Sequence, residues 1–208
     1  TLSSSSAASD VYKRQQWQGA TLLAPVPAVM VSCGTMAESN ILTIAWTGII
    51  NSNPPKTYIS IRPERHSYEV IKETGEFVIN LTTVSLVRAT DFCGVRSGRD
   101  FDKFEKLALT KESAAHLNCP MIEESPVNLE CRVREIIPLG SHDMFLADIL
   151  AVNVDEQYLD ERGKLHLDKA QLISYAHGEY FELGKKLGSF GYTVRKKKKK
   201  IRKRNVKK

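Results

Sequence analysis

The sequence predicts a mainly β fold: an antiparallel barrel with a few α-helices attached outside it. Three observations carry this. Six segments rich in β-branched and aromatic residues are bounded by Gly, Pro or charged turns. Helical spacing is confined to short stretches between them. The segments show no regular β–α alternation, which a parallel sheet would require.

In chain order, "AVMVS" (28–32) stops at Cys33-Gly34, and "NILTIAW" (40–46) ends near Gly48. "TYISI" (57–61) follows Pro54-Pro55 and stops before Pro63, and "EFVINL" (76–81) follows Gly75. In "NLECRVREII" (128–137), Leu129, Cys131, Val133 and Ile137 alternate with Glu130, Arg132 and Arg134. That period of two predicts one buried and one wet face. "MFLADILAVNV" (144–154) is nearly continuously apolar and predicts burial on both faces. "RHSYEVIKET" (65–74) reads as a helix ended by Gly75. "VSLVRATDFC" (84–93) places Leu86, Ala89 and Cys93 at helical spacing. A third short helix is expected from Asp100, with Phe101, Phe104, Leu107 and Ala108 on one face. No internal repeat is visible.

The chain has 208 residues, 42% of them hydrophobic, enough for one sizeable core. The net charge of +6 belongs to one end. Of the 30 lysines and arginines, 11 lie between Arg195 and Lys208, and the other 19 face 24 acidic residues, a balance of −5. A nucleic-acid-binding face on the core is therefore not expected. The organisation expected is a polar leader over 1–19, one domain over 20–190 and a basic tail over 191–208. "TLSSSSAASDVYKRQ" is Ser/Ala-rich, without period, and similar to translated linker sequence. The tail repels itself and is read as solvated, or as a motif-free anchor for nucleic acid or an anionic membrane. Cys33, Cys93, Cys119 and Cys131 are widely spaced, which fits a reduced, cytoplasmic setting and excludes C-x-x-C metal or redox spacing. No apolar run approaches the roughly 18 residues of a membrane span.

Neither a nucleophile elbow nor H-E-x-x-H, a Walker sequence or G-x-G-x-x-G occurs, so no metal ligand set is assigned. Anion-friendly chemistry recurs instead at element ends. Arg62 closes "TYISI", and Arg65, His66 and Ser67 open the next helix. A helix N-terminus offers free N–H groups and partial positive charge, and Arg adds a planar fork of donors. The same residues also fit a Ser67 cap with solvated arginines. "FCGVRSGRDFDKF" (92–104) gathers Gly94, Ser97 and Gly98 beside Arg96, Arg99 and Lys103. It reads either as an anion cradle or as a turn capped by Asp100. In "NILTIAW", polar Asn40 and Thr43 interrupt an apolar strand beside Trp46. That mixture suits a heterocycle, although Trp46 alone reads more simply as core.

Taken together, these segments resemble a family, the flavin reductase-like proteins of the FMN-binding split-barrel superfamily, near the flavoredoxin branch. The matching pieces are "PVPAVMVSCG", "NILTIAWTGIINSNPP", "YISIRPERHSYEVIKETGEFVINL", "CGVRSGRDFDKF", "LECRVREIIPLGSHDMFLADI" and "GEYFELGKKLG", over residues 20 to 188. No one piece is specific; their order and spacing are. The resemblance implies a Greek-key antiparallel split barrel, a homodimer, and FMN near the subunit interface. It implies Asn40, Leu42, Thr43, Ala45 (through its backbone) and Trp46 along the flavin. Ser60, Arg62, His66 and Ser67 would lie near the phosphate, followed by Asn80 and Leu81. Ser97, Arg99 and Lys103 would complete the phosphate site. Where the family shows Gly-Asp-His, this chain has Gly140-Ser141-His142. His142 is thus a candidate to contact a nicotinamide without its acidic neighbour; it also fits a satisfied loop histidine.

The resemblance further implies an oxidoreductase, a flavoprotein that takes a hydride from NADH or NADPH and passes electrons to an acceptor. Two other readings stay open: a flavoredoxin-type electron carrier without NAD(P)H activity, and a nucleic-acid-associated protein acting through the Lys-rich tail.

Overall fold

The computed structural model describes residues 14–195. The leader up to residue 13, and the basic tail from residue 196 with its nucleic-acid reading, lie outside the described residues. In chain order the strands are β1 (Val26–Pro27), β2 (Val29–Gly34), β3 (Ser39–Ile44), β4 (Thr47–Ser52), β5 (Pro55–Ile61), β6 (Glu76–Leu81), β7 (Lys111–Ser113), β8 (Pro120–Ile122), β9 (Val127–Pro138), β10 (Asp143–Val154), β11 (Ile173–Ala176) and β12 (Glu179–Glu182). The helices are α1 (His66–Thr74), α2 (Val87–Val95, entered through a 3₁₀ turn) and α3 (Lys103–Leu107).

Seven strands form one antiparallel sheet in the order β3-β2-β6-β9-β10-β5-β4. Its two edge strands, β3 and β4, are consecutive in the chain and joined by Ala45 and Trp46. Ser60 N–H donates to the Trp46 carbonyl at 3.0 Å. The sheet therefore curls until its edges converge on this corner, the split barrel with peripheral helices expected from the sequence.

The barrel core contains Val31, Ile44, Ile59, Phe77, Cys131 and Phe145, with Tyr68 and Ile71 of α1 packed against it. On the opposite face of β2 and β3, Met30 and Ile41 pack against Leu86, Ala89 and Cys93 from the α2 region and Phe104 of α3. β2 is buried along its whole length, which is why its sequence does not alternate; its one polar side chain, Ser32, donates to the Pro120 carbonyl at 2.5 Å. α1 ends as expected: Gly75 adopts φ 68° and donates its N–H to the Ile71 carbonyl.

Several expectations are corrected. α3 begins at Lys103, capped by Asp102, whose carboxylate accepts the Glu105 N–H at 3.1 Å; Asp100 is not the cap. β10 is not buried on both faces. Asp143, Phe145 and Ala147 are buried while Met144, Leu146 and Asp148 are partly exposed; Ile149 still packs against the barrel core, and the strand beyond it stays partly exposed. Glu130 does not lie on a wet face of β9; it is fully buried. Its carboxylate accepts the N–H groups of Ala115 and His116 and the Asn153 amide, which replace water. β4, the β7–β8 hairpin and the β1–β11–β12 sheet have no counterpart among the six predicted strands: β4 and β12 are largely exposed, and β1, β7 and β8 have only two or three residues each. All four cysteines are free and buried. Among the described residues no helix is long and apolar enough to cross a membrane.

Candidate functional site

Two cavities meet along β3. The first, about 320 Å³, lies between β3, the N-terminus of α1 and the segment running from the end of α2 to α3. The second, about 410 Å³, extends along the β3–β4 corner towards β10 and the β11–β12 hairpin. Leu42, Thr43, Arg65, Gly94 and Val95 line both, so the two form one continuous trough.

The first cavity is a basic cradle. Arg65, Arg96, Arg99 and Lys103 line it against one carboxylate, Glu64. Lys103 is 2% exposed, and its Nζ donates to the carbonyls of Ile41 at 2.6 Å and Cys93 at 3.1 Å. It has no carboxylate partner among the described residues. An ammonium carries three donors, so one remains beyond these two carbonyls. Burial pulls its pKa down. His66 is also held below its ordinary value, first by burial and then by Arg99 and Lys103. Both shifts come first from burial, and neighbouring cations add to each: Arg65 to Lys103, Arg99 and Lys103 to His66.

The backbone supports the same chemistry. No side chain caps α1, whose N-cap position is Arg65. Ser67 is not the cap; its buried hydroxyl accepts a hydrogen bond from Asn40 Nδ2 at 2.7 Å. Tyr68 N–H donates to the Arg65 carbonyl at 3.0 Å, whereas the His66 and Ser67 amides take no partner among the described residues and keep their donors beside the positive end of the helix dipole. On the opposite wall the approach is too close for a side chain at Gly98 and tight at Gly94. A Cβ at Gly98 would meet Asn40 Oδ1 at 2.2 Å, and one at Gly94 would meet Thr43 Cβ at 3.3 Å. Thr43 Oγ1 donates to the Thr90 carbonyl, which ties β3 to α2. Arg99 is steadied by donation from Nη1 to the Glu64 carbonyl at 3.3 Å.

The second cavity is more open and carries aromatic rings on its walls. Trp46 and His142 face each other with ring centroids 4.4 Å apart. Trp46 is 42% exposed, which overturns its reading as core. Ser141 Oγ lies 3.0 Å from His142 Nδ1. Burial, and then Arg62, hold His142 below its ordinary pKa, so its ring is neutral at pH 7. Asp143 does not serve His142; it accepts the Tyr68 hydroxyl at 2.6 Å, which pushes that phenol up to about 12. Tyr175 and Tyr180 close the far side, their rings 5.5 Å apart.

Among the residues singled out from sequence, Asn40, Leu42, Thr43, His66, Ser67, Ser97, Arg99 and Lys103 converge on the cradle. Ala45, Trp46, Ser60, Arg62 and His142 line the second cavity. Arg62 is therefore not with the cradle; it pairs with Glu64 at 3.0 Å in a solvated position. Asn80 and Leu81 line neither cavity. Asn80 is fully buried, donating to the Met30 carbonyl and accepting from Ile122 N–H and Asn128 Nδ2. Leu81 packs against the barrel core. Arg65, read from the sequence with His66 and Ser67 as anion-friendly, lines both cavities; Tyr175 and Tyr180 are lining residues that the sequence reading missed. The tyrosines flank His177-Gly178, a turn signal between two alternating runs.

Residues 22–184 match the family model described as flavin reductase like domain. An uncharacterised protein of Archaeoglobus fulgidus is 30% identical over 159 residues, covering 76% of this chain and 88% of its own length. An NADPH-flavin oxidoreductase of Streptomyces viridifaciens is 22% identical, over 69% of this chain and 74% of its own. Among solved structures, flavoredoxin of Desulfovibrio vulgaris (Miyazaki F) superposes with a TM-score of 0.81 at 30% identity, covering 88% of this chain and 100% of that one. Flavoredoxin from Methanosarcina acetivorans gives 0.80 at 26% identity, covering 87% and 97%.

Proposed function

The chain belongs to the flavin reductase-like domain family, and from that premise we propose that it is an FMN-binding oxidoreductase that takes a hydride from NADH or NADPH and passes electrons to an acceptor. The observation that carries this is the continuity of the trough: a cradle rich in unpaired donors opens into a cavity with apolar and aromatic walls. A phosphorylated flavin has this same polarity along its length.

The residues fit the group. Ser67, Ser97, Arg99, Lys103 and Arg65 would hold the phosphate, with His66 beside them. Asn40 and Thr43 offer polar atoms midway, and Leu42, Trp46 and the Ala45 backbone offer walls for the ring. When bound, FMN supplies the redox chemistry; the protein orients it and tunes its electronics. Lys103 brings a buried positive charge to the closed end. Neutral His142, held by Ser141 and Trp46, can accept or donate one hydrogen bond to a nicotinamide without adding charge. The corner at Ala45–Trp46, where the sheet edges meet, walls one side of the second cavity.

Purified protein is expected to be yellow, and anaerobic addition of NADH or NADPH is expected to bleach it. A colourless protein that does not retain added FMN would sink the reading. A second reading has its own support in the two flavoredoxins that superpose best among those described above. Yellow protein that neither nucleotide bleaches would favour that electron-carrier role.

A homodimer is part of the same proposal. Phe181, Leu183, Leu187 and Phe190 leave apolar side chains exposed along the C-terminal stretch, a strip that association would cover. Light scattering should then give twice the 23.3 kDa of one chain. A cytoplasmic setting would keep the four buried thiols reduced.

A further inference from the structure

α2 has two faces. Ala89, Thr90 and Cys93 are buried against the barrel. Helical spacing places Arg88, Asp91, Phe92, Val95 and Arg96 on the other side, where they line a groove of about 690 Å³. Gly178 and Tyr180 of the β11–β12 hairpin form its opposite wall. Asp91, Val95, Gly178 and Tyr180 also line the second cavity of the trough, so the groove enters that cavity from the side.

The chemistry of the groove is specific. Arg88 and Arg96 are exposed and form no ion pair among the described residues. Eight residues apart on one helix, they lie about 12 Å apart along its axis. Phe92 and Val95 put apolar surface between them. Asp91 accepts a hydrogen bond from the Tyr180 hydroxyl at 3.4 Å, leaving its other oxygen as an acceptor. Two guanidinium forks suit phosphate oxygens. A lone carboxylate between them is poor for a simple anion but suits a sugar hydroxyl, and an aromatic edge suits a base.

We propose that this groove binds the nucleotide electron donor: its phosphates on Arg88 and Arg96, a ribose hydroxyl on Asp91, its base against Phe92, and its redox end entering the second cavity past Tyr180. The inference rests on the proposed function and adds the place and chemistry of donor binding.

The test is calorimetric titration of ADP-ribose, which carries the pyrophosphate, ribose and base without the redox ring, into the full flavin-loaded chain at physiological salt. One saturable site is expected. Arg88→Glu should weaken it at least tenfold and raise the KM for NADH or NADPH to a similar degree, with flavin content unchanged. Arg88→Gln should show a smaller loss in the same direction. The basic tail is identical in every variant, so binding there would not respond to Arg88. Unchanged ADP-ribose affinity in Arg88→Glu, or no saturable binding by the wild type, overturns the proposal. Yellow protein without ADP-ribose binding sinks the groove alone. Protein that holds no flavin but binds ADP-ribose through Arg88 sinks the flavin reading and keeps the groove.

Discussion

Asn40 on β3 donates from Nδ2 to Ser67 Oγ on α1 at 2.7 Å, and both side chains are almost completely buried. The hydroxyl that by position could cap the helix is instead committed to the sheet. This bond ties the strand that floors the cradle directly to the first turn of the helix beside it.

The two residues should therefore behave as a unit. Asn40→Ala and Ser67→Ala each leave a buried polar group unpaired, at about 1–3 kcal/mol. The double variant should cost less than the sum, with a coupling of about 1 kcal/mol. Urea unfolding of the four proteins measures it. Strict additivity would show that the bond contributes nothing to stability.

The cradle should distinguish FMN from riboflavin, which lacks the phosphate. Arg99→Ala should weaken FMN by about 1.5–3 kcal/mol, the worth of a charge-assisted hydrogen bond, and leave riboflavin nearly unchanged. Arg62→Ala removes a half-exposed side chain that does not line the cradle and should weaken FMN far less than Arg99→Ala. Fluorescence titration reads both. A selective loss of FMN in Arg62→Ala would move the phosphate to the other cavity.

Gly98 should tolerate no side chain. A Cβ there would lie 2.2 Å from Asn40 Oδ1, and Asn40 is too buried to move aside. Gly98→Ala should cost about 1–3 kcal/mol of stability, as overpacking does, and lower flavin content together with it. Wild-type Tm and flavin content in that variant would contradict the close approach.

Stability should fall as pH falls through the histidine range. His66 is held below 6.5 by burial, Arg99 and Lys103, and His142 by burial and Arg62. The unfolded chain therefore takes up these protons first, so stability present above pH 6.5 is lost as pH falls towards the folded pKa values. The urea midpoint should drop between about pH 7.5 and pH 5.5, and the drop should be smaller in His66→Gln. Added inorganic phosphate should offset it, because an anion in the cradle raises the folded pKa of His66. An equal drop in His66→Gln would remove His66 from the account.

Much of the fold is legible in the chain because it is decided locally. β6 lies where Gly75 and its apolar run put it, and α1 ends where Gly75 can take positive φ. Glu130 shows where local reading stops. Its alternation points it to solvent, yet the amides of Ala115 and His116, distant in sequence, cover it. Asn80 shows the same limit at the site. It lies on β6, an interior strand of the sheet, so its amide faces other strands rather than the trough.

By itself, then, the sequence determines a mainly β chain, its family, and two short stretches rich in anion-binding chemistry. Which cations meet is decided only in three dimensions. Arg62 and Arg65 are equivalent in composition and three residues apart. The Arg65 N–H donates to the Arg62 carbonyl at 3.0 Å, and this turn reverses the chain between β5 and α1. It sends Arg65 to the junction of the two cavities and leaves Arg62 with Glu64 at the rim. A side chain's direction after a turn depends on what packs against it, and here that is a strand and a helix from other parts of the chain.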